Sequence, residues 1–327
     1  MRNYVEDFTK HLEEAKAIGS KIVFNEAKYQ FSNILISGLG GSGIGGTIIS
    51  QQLAGELKIP VNVNKDYGIP AFVDSKTLFI ACSYSGNTEE TVEAVEMAEQ
   101  RNAEIAIITS GGKLLEIAKT KGYNYILMPS GFPPRAAFGF SFPQLYFMLE
   151  KYGLIDASFI SAINNSIQLI DKNEESIKKE AAEITEKLFG KIPVIYAVAD
   201  SEGVAVRFRQ QINENSKMLC WHHAIPEMNH NELVGWAGGN QELAVVIFRN
   251  ENDYQRNQTR IEINKEIFLK YTSNITEIYS KGNSILERAL YHVHLGDWIS
   301  VLLAEKKQID PVEVNVIDFL KGSLANS

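Results

Sequence analysis

The chain has 327 residues, 45% apolar and 22% charged, which excludes a disordered segment or small disulfide scaffold and sets a prior of about two globular domains. Its 32 Lys and Arg stand against 40 Asp and Glu, for a net charge of −8, and no basic run stands out. Such a chain repels phosphate backbones and anionic lipid, so neither nucleic acid nor a membrane surface is expected as a partner.

The first twenty residues carry acids throughout and lack the apolar core of a signal peptide, while Val5, Phe8, Leu12, Ala15 and Ile18 recur at steps of three and four. They predict an amphipathic helix packed on the body of the protein. ILIS at 34–37 is then a strand, followed by a glycine-rich turn and a helix to Leu57. PVNVN at 60–64 and TLFIACS at 77–83 are further strands, the second leading through a polar turn into the helix EETVEAVEMAEQRN. EIAIITS, a double glycine at Gly111-Gly112, the helix KLLEIAKTKG and the strand YILMPS complete this half. Strands this apolar, separated by helices, indicate a doubly wound parallel sheet.

The charged helical stretch 158–190 reads as a connector. After it the alternation resumes with PVIYAVA, a helix through Arg207 and Gln211, LAVVIF, a helix around 254–271, ITEIYS and the helix ILERALYHVHLGDWISVLLAEKK. Pro311 breaks that helix, and a short amphipathic one with Val316, Phe319 and Leu320 closes the chain. The expected fold class is α/β, with two doubly wound parallel-sheet lobes. Residues 1–155 hold the N-terminal helix and first lobe; residues 156–327 hold the connector, second lobe and C-terminal helix. No apolar run is long enough to span a bilayer, and a cytoplasmic location is the default. Cys82 and Cys220, far apart among apolar neighbours, read as buried thiols.

Gly38-Leu39-Gly40-Gly41-Ser42-Gly43 matches GxGxxG directly after a strand and before a helix. Glycines let the backbone approach a ligand and a helix N-terminus offers free N–H groups, which fits any phosphate as well as a pyrophosphate. A tight turn without ligand is the plainer alternative. A second turn, Ser83-Tyr84-Ser85-Gly86-Asn87-Thr88, places three hydroxyls besides its tyrosine at the end of another strand. An ordinary N-cap needs one hydroxyl, whereas a phosphate monoester gripped between two turns uses several. In open α/β sheets both turns lie where ligands bind, beyond the carboxyl ends of the strands.

GLGGSG, SYSGNT, GFPPRAAFGF, NENSK, EMNHNELVGW and DFLKGSL, in this order from about residue 30 to Lys321, resemble the sugar isomerase (SIS) superfamily and, within it, the bifunctional phosphoglucose/phosphomannose isomerases. The resemblance implies two SIS-type lobes and interconversion of glucose 6-phosphate, and of mannose 6-phosphate, with fructose 6-phosphate through a cis-enediol. It implies that Gly41, Ser42, Ser83, Ser85 and Thr88 bind the substrate, chiefly its phosphate. Arg135 would lie near C1 and C2, Glu214 would be the base, His230 the ring-opening acid and Lys321 its partner; the tail motif selects Lys321 over Lys306 and Lys307. The implied assembly is a homodimer in which His230 enters the partner's site, with Trp221 and Trp236 suited to the interface. No cofactor and no metal are expected.

Without the resemblance, Glu214 reads as a solvated helix carboxylate, Arg135 as an ion-pair partner, His230 as a polar residue at a helix start and Lys321 as a tail charge. His222, His223, Glu227 and His230 lack metal-site spacing, and His292 and His294 face different sides of one helix, so these histidines are expected to pack or lie on the surface. A dinucleotide-dependent oxidoreductase would need Glu56 or Asp66 on a ribose and leaves SYSGNT unused. A sugar-phosphate sensor would need neither Glu214, His230 nor Lys321.

Overall fold

In the computed structural model, which describes residues 1–27 and 30–324, two parallel sheets follow each other along the chain. The first half comprises α1 (Arg2–Glu6), α2 (Phe8–Ser20), β1 (Asn33–Ser37), α3 (Gly40–Gln52), β2 (Val61–Asn64), β3 (Thr77–Ser83), α4 (Glu89–Gln100), β4 (Glu104–Thr109), α5 (Gly112–Lys121), β5 (Asn124–Leu127) and α6 (Phe138–Lys151). The second half comprises α7 (Ser158–Leu188), β6 (Ile192–Val198), α8 (Glu202–Ser216), β7 (Trp221–Ile225), α9 (Glu232–Gly235), β8 (Leu243–Arg249), α10 (Gln255–Phe268), β9 (Ile275–Tyr279), α11 (Ile285–Lys306) and α12 (Asn315–Leu324).

The first sheet has the order β2-β1-β3-β4-β5 and the second β7-β6-β8-β9, with every pairing parallel. NILIS and TLFIACS are buried at every position because helices cover both faces of the sheet. The chain leaves β1 through α3 toward β2 and returns to the other side of β1 as β3. The direction of winding therefore reverses between β1 and β3, and the crevice beyond their carboxyl ends is the switch point of this sheet.

The main core lies between the two sheets. It combines Leu12 of α2, Ile48 of α3, Phe142 of α6, Ile177 of α7, Phe208 of α8 and Leu290 of α11 with the inward residues of both sheets. Smaller clusters fill the outer faces, under α4 and α5 on the first sheet and under α10 on the second. Although its sequence is highly charged, α7 buries a stripe at Ile163, Ile167, Ile170, Ile177, Ala181, Ile184 and Leu188, so it belongs to the core.

Several expectations change. The N-terminal helix is two helices that meet at Asp7, and α3 ends at Gln52 rather than Leu57. WHHAI forms β7, an edge strand that the histidine pair concealed. Cys220 is half-buried, in contrast to the buried Cys82. The closing helix α12 buries none of its residues, and Val316, Phe319 and Leu320 face solvent. No described helix is long and apolar enough to cross a membrane.

Candidate active site at the switch point

The two turns meet because glycines let their backbones touch. A Cβ on Gly38 would lie 2.6 Å from the Cys82 carbonyl oxygen, and one on Gly43 would lie 2.0 Å from that of Gly38. No other residue fits at either position, and the start of α3 is thereby held against the ends of β1 and β3. Leu39 occupies the cap position of α3 without a side-chain cap, so the first N–H groups of the helix have no side-chain acceptor. The second turn rests on the loop after β4: Gly112, at φ +68°, would drive a Cβ to 2.3 Å from the Ser85 carbonyl oxygen. Asn87 Oδ1 accepts from the N–H of Lys113 at 2.9 Å and caps α5.

The hydroxyls are held by accepting hydrogen bonds. Ser42 Oγ accepts from the N–H of Tyr84 at 2.9 Å, Ser85 Oγ from that of Asn87 at 3.2 Å and Ser83 Oγ from that of Gly86 at 3.2 Å. Ser83 Oγ and Thr88 Oγ1 lie 2.8 Å apart. Thr88 stands at the N-cap position of α4 but makes no cap bond, because its hydroxyl pairs with Ser83. One proton of the Ser83–Thr88 pair stays between them, which leaves the O–H groups of Ser42, Ser85 and one member of the pair as donors. A fully ionised phosphate, which only accepts, is the natural complement of such a set.

Arg135 reaches the same place on a 3-10 turn, Pro134–Ala137. A Cβ on Gly41 would lie 3.0 Å from its Cα and 3.1 Å from its backbone nitrogen, so the phosphate turn is pressed against this segment. The Arg135 side chain is 4% exposed, and its Nε donates to Asn215 Oδ1 at 2.7 Å. Nη2 donates to the carbonyls of Pro311 at 2.6 Å and Val312 at 3.1 Å, and Nη1 lies 3.3 Å from Glu214 Oε2. Burial pushes this guanidinium below its ordinary value, and the charges of Glu214 and Asp310 pull it back up. Glu214 sits in the last turn of α8 with its carboxylate part-exposed, which leaves the Oε atoms accessible beside the buried charge.

The structure thus groups Gly41, Ser42, Ser83, Ser85, Thr88, Arg135 and Glu214. His230 and Lys321 share no hydrogen bond or ion pair with that group among the described residues. His230 is exposed at the end of a 3-10 turn after β7, and Leu219, Trp221 and Val234 are exposed as well. Trp236 corrects the expectation for the interface: it is 3% exposed, packs on Phe268 and donates its Nε1 hydrogen to Tyr196, so it belongs to its own lobe. Lys321 is exposed on α12. Lys307 donates to the carbonyls of Ser216 and Lys217 at 2.7 and 3.1 Å, which holds it at the end of α8 just beyond Glu214, and Lys306 pairs with Glu186.

The other histidines divide as packing and surface groups. His292 is buried with Nε2 3.1 Å from the Ile278 carbonyl oxygen, and His294 is buried against Glu174. His222 lies 3.7 Å from Glu202, and His223 is 2.9 Å from Glu232. Sequence reasoning missed Asn215, although it sits inside NENSK, because its partners Arg135 and Ser300 are remote in the chain.

A family model described as SIS domain matches residues 29–121, and one described as bacterial phospho-glucose isomerase C-terminal SIS domain matches residues 177–324. The bifunctional phosphoglucose/phosphomannose isomerase of Caldicellulosiruptor bescii is 40% identical to this chain, over 98% of each. The enzyme of the same name from Aquifex aeolicus is 38% identical over 90% of this chain and 91% of its own. Among solved structures, the C-terminal domain of glucosamine-fructose-6-phosphate aminotransferase from Francisella tularensis superposes with a TM-score of 0.77 over 96% of this chain and 97% of its own. At 14% identity that likeness shows the fold alone.

Proposed function

The chain belongs to the bifunctional phosphoglucose/phosphomannose isomerase family, and we infer that it interconverts glucose 6-phosphate and mannose 6-phosphate with fructose 6-phosphate. The reaction moves a proton between C1 and C2 through a cis-enediol. The two aldoses differ only in configuration at C2, which becomes planar in that intermediate, so one base at C1 and C2 serves both.

We propose the following division of labour. Ser42, Ser85 and the outward hydroxyl of the Ser83–Thr88 pair donate to the phosphate oxygens, the other member of the pair holding that hydroxyl in place, and Gly41 lets the turn approach them. Glu214 takes the proton from one carbon and returns it to the other, acting as base and then acid. Arg135 stabilises negative charge on the enediolate, where a buried, preorganised cation is worth far more than in water. His230 and Lys321 move the protons that open the sugar ring. The observation that carries this reading is the pair Arg135–Glu214, 3.3 Å apart, on a segment against which Gly41 of the first turn packs.

We also propose a homodimer that brings His230 to the partner's site, supported by the exposure of His230 and by its lack of a hydrogen bond or ion pair to the Arg135–Glu214 group among the described residues. Coupled assays with the two aldose phosphates and fructose 6-phosphate, each with and without chelator, test the reaction. Turnover of both aldoses with no loss on chelation is expected; no turnover by folded protein overturns the reading. Co-expression of Glu214→Gln with His230→Ala tests the shared site. With random pairing, half the dimers are mixed and half of their sites intact, so about a quarter of the parental activity returns. No recovery in mixed dimers shown to have formed places His230 outside the partner's site.

A further inference from the structure

Arg135 is anchored by a relay that reaches into the centre of the molecule, and the direction of every hydrogen bond in it is fixed. Ser300 lies in the middle of α11, completely buried, and its hydroxyl donates to the Asp297 carbonyl at 2.8 Å. With its one proton spent, Ser300 Oγ can only accept, and it does so from Asn215 Nδ2 at 2.9 Å. The Asn215 amide is therefore held in one orientation, with Oδ1 toward Arg135. The opposite orientation would set Nδ2 against the Nε–H of Arg135, two donors facing each other in a buried site. Asn215 itself is completely buried.

The far end of the relay is held as firmly. The Asp297 carboxylate accepts from Arg207 Nη2 at 2.6 Å and from Gln211 Nε2 at 2.8 Å, which locks α11 to α8. The same Arg207 nitrogen donates to the Arg135 carbonyl oxygen at 3.2 Å. Arg207 also lies over the Phe138 ring, 4.2 Å from its centroid. Both the backbone and the side chain of Arg135 are thus tied to one buried polar network, and the residue next to Glu214 on α8 is its last link.

We infer that Asn215 and Ser300 are positioning residues for isomerisation: the Ser300–Asn215 relay fixes the plane of the Arg135 guanidinium beside Glu214. The inference rests on the reading that Arg135 acts at C1 and C2. Neither residue touches substrate in this account; both act through the guanidinium. A fork held at both Nε and Nη2 presents Nη1 to the enediolate oxygen in one plane; with Nε released it keeps only the Nη2 bonds to the Pro311 and Val312 carbonyls, pivots about them, and presents Nη1 only part of the time. The phosphate is gripped by the other turn, so its binding does not depend on the relay.

The test is Ser300→Ala in the parental chain and again in Arg135→Lys, a side chain with no Nε–H for Asn215 to hold. Alanine is a better helix former than serine, so α11 is expected to form, and a melting curve checks this. In the parental chain kcat should fall roughly tenfold with KM within about twofold, the pattern of an interaction made in the transition state. In the Arg135→Lys background the same substitution should change kcat by less than about twofold, because coupled residues are not additive. Asn215→Leu keeps roughly the volume but removes both the acceptor for the Arg135 Nε–H and the donor to Ser300, and should likewise lower kcat with KM preserved. An unchanged kcat in Ser300→Ala, or the same loss in both backgrounds, overturns the relay and leaves Arg135 in its role. A parental kcat in Arg135→Lys alone overturns the role of Arg135, and the relay with it.

Discussion

Gly41→Ala probes the junction on which the site depends. The backbone of Gly41 has an ordinary negative φ, so alanine brings no conformational strain. It brings a methyl group 3.0 Å from Arg135 Cα, 3.1 Å from Arg135 N and 3.2 Å from the Pro134 carbonyl carbon. All three are main-chain atoms, which cannot rotate away as a side-chain tip can. Carbon atoms pack best at about 3.5–4.0 Å, so the turn and the Arg135 segment must separate by roughly half an ångström. Misplacement by about 1 Å can cost a factor of 100 in rate, and half of that on a logarithmic scale is about tenfold, or ~1.4 kcal/mol of barrier. Steady-state kinetics should show kcat/KM reduced about tenfold, with part of the loss in KM, since the phosphate turn moves as well. A melting curve should fall by only a few degrees. Parental kcat and KM in a folded Gly41→Ala protein would refute the claim that this contact sets the geometry.

Thr88→Ala removes one hydroxyl of the touching pair and should raise KM several-fold with kcat nearly constant; a kcat defect with unchanged KM contradicts phosphate binding by Thr88. Lys321→Ala should lower turnover of the cyclic sugar without changing the melting temperature, whereas Lys307→Ala should cost about 1 kcal/mol of stability by freeing two carbonyls at the end of α8. The reverse pattern in activity would move the ring-opening role to Lys307. Burial lowers His292 to about 3 in the folded chain, against about 6.5 when unfolded. Above the unfolded value both states are neutral and the residue contributes no pH dependence. As pH falls from about 6.5 toward 3, only the unfolded chain takes up the proton, so stability is lost by up to ~1.4 kcal/mol per pH unit from this residue. Denaturant melts between pH 7 and 5 should show the loss, and a buried neutral replacement, His292→Gln, should reduce it, leaving the share of His11, which burial lowers to about 4.

The strands were legible where burial on both faces forces unbroken apolar runs, as in NILIS and TLFIACS. β7 was not, because an edge strand half open to solvent tolerates His222 and His223, and its pattern carries little periodic signal. The two turns could be placed from glycine and hydroxyl spacing, yet the pairing of the Thr88 hydroxyl with Ser83 could not, because only the folded turn sets the two side chains against each other. Trp236 could be read as an interface residue because a tryptophan in sequence does not disclose whether Phe268 and Tyr196 already enclose it. The Arg135–Glu214 pair was accessible only through the motif resemblance: its members are 79 positions apart, and the supports at Asn215, Ser300 and Asp297 come from two helices of the second half. Charge in α7 suggested a connector and hid its packing, which its isoleucines, spaced at three, four and seven residues, carry.

The central claim is that Glu214 carries the proton between C1 and C2. Glu214→Gln keeps the shape of the side chain and deletes the proton transfer, so it should lower kcat for glucose 6-phosphate and mannose 6-phosphate alike by about 1,000-fold or more, ~4 kcal/mol of barrier, with sugar-phosphate binding retained in titration calorimetry. Run in heavy water, the parental enzyme should place deuterium at C1 and C2 of the recovered sugars and the variant should not. A Glu214→Gln protein that keeps turnover within about tenfold of the parent, or that still exchanges deuterium at its rate, would contradict the account.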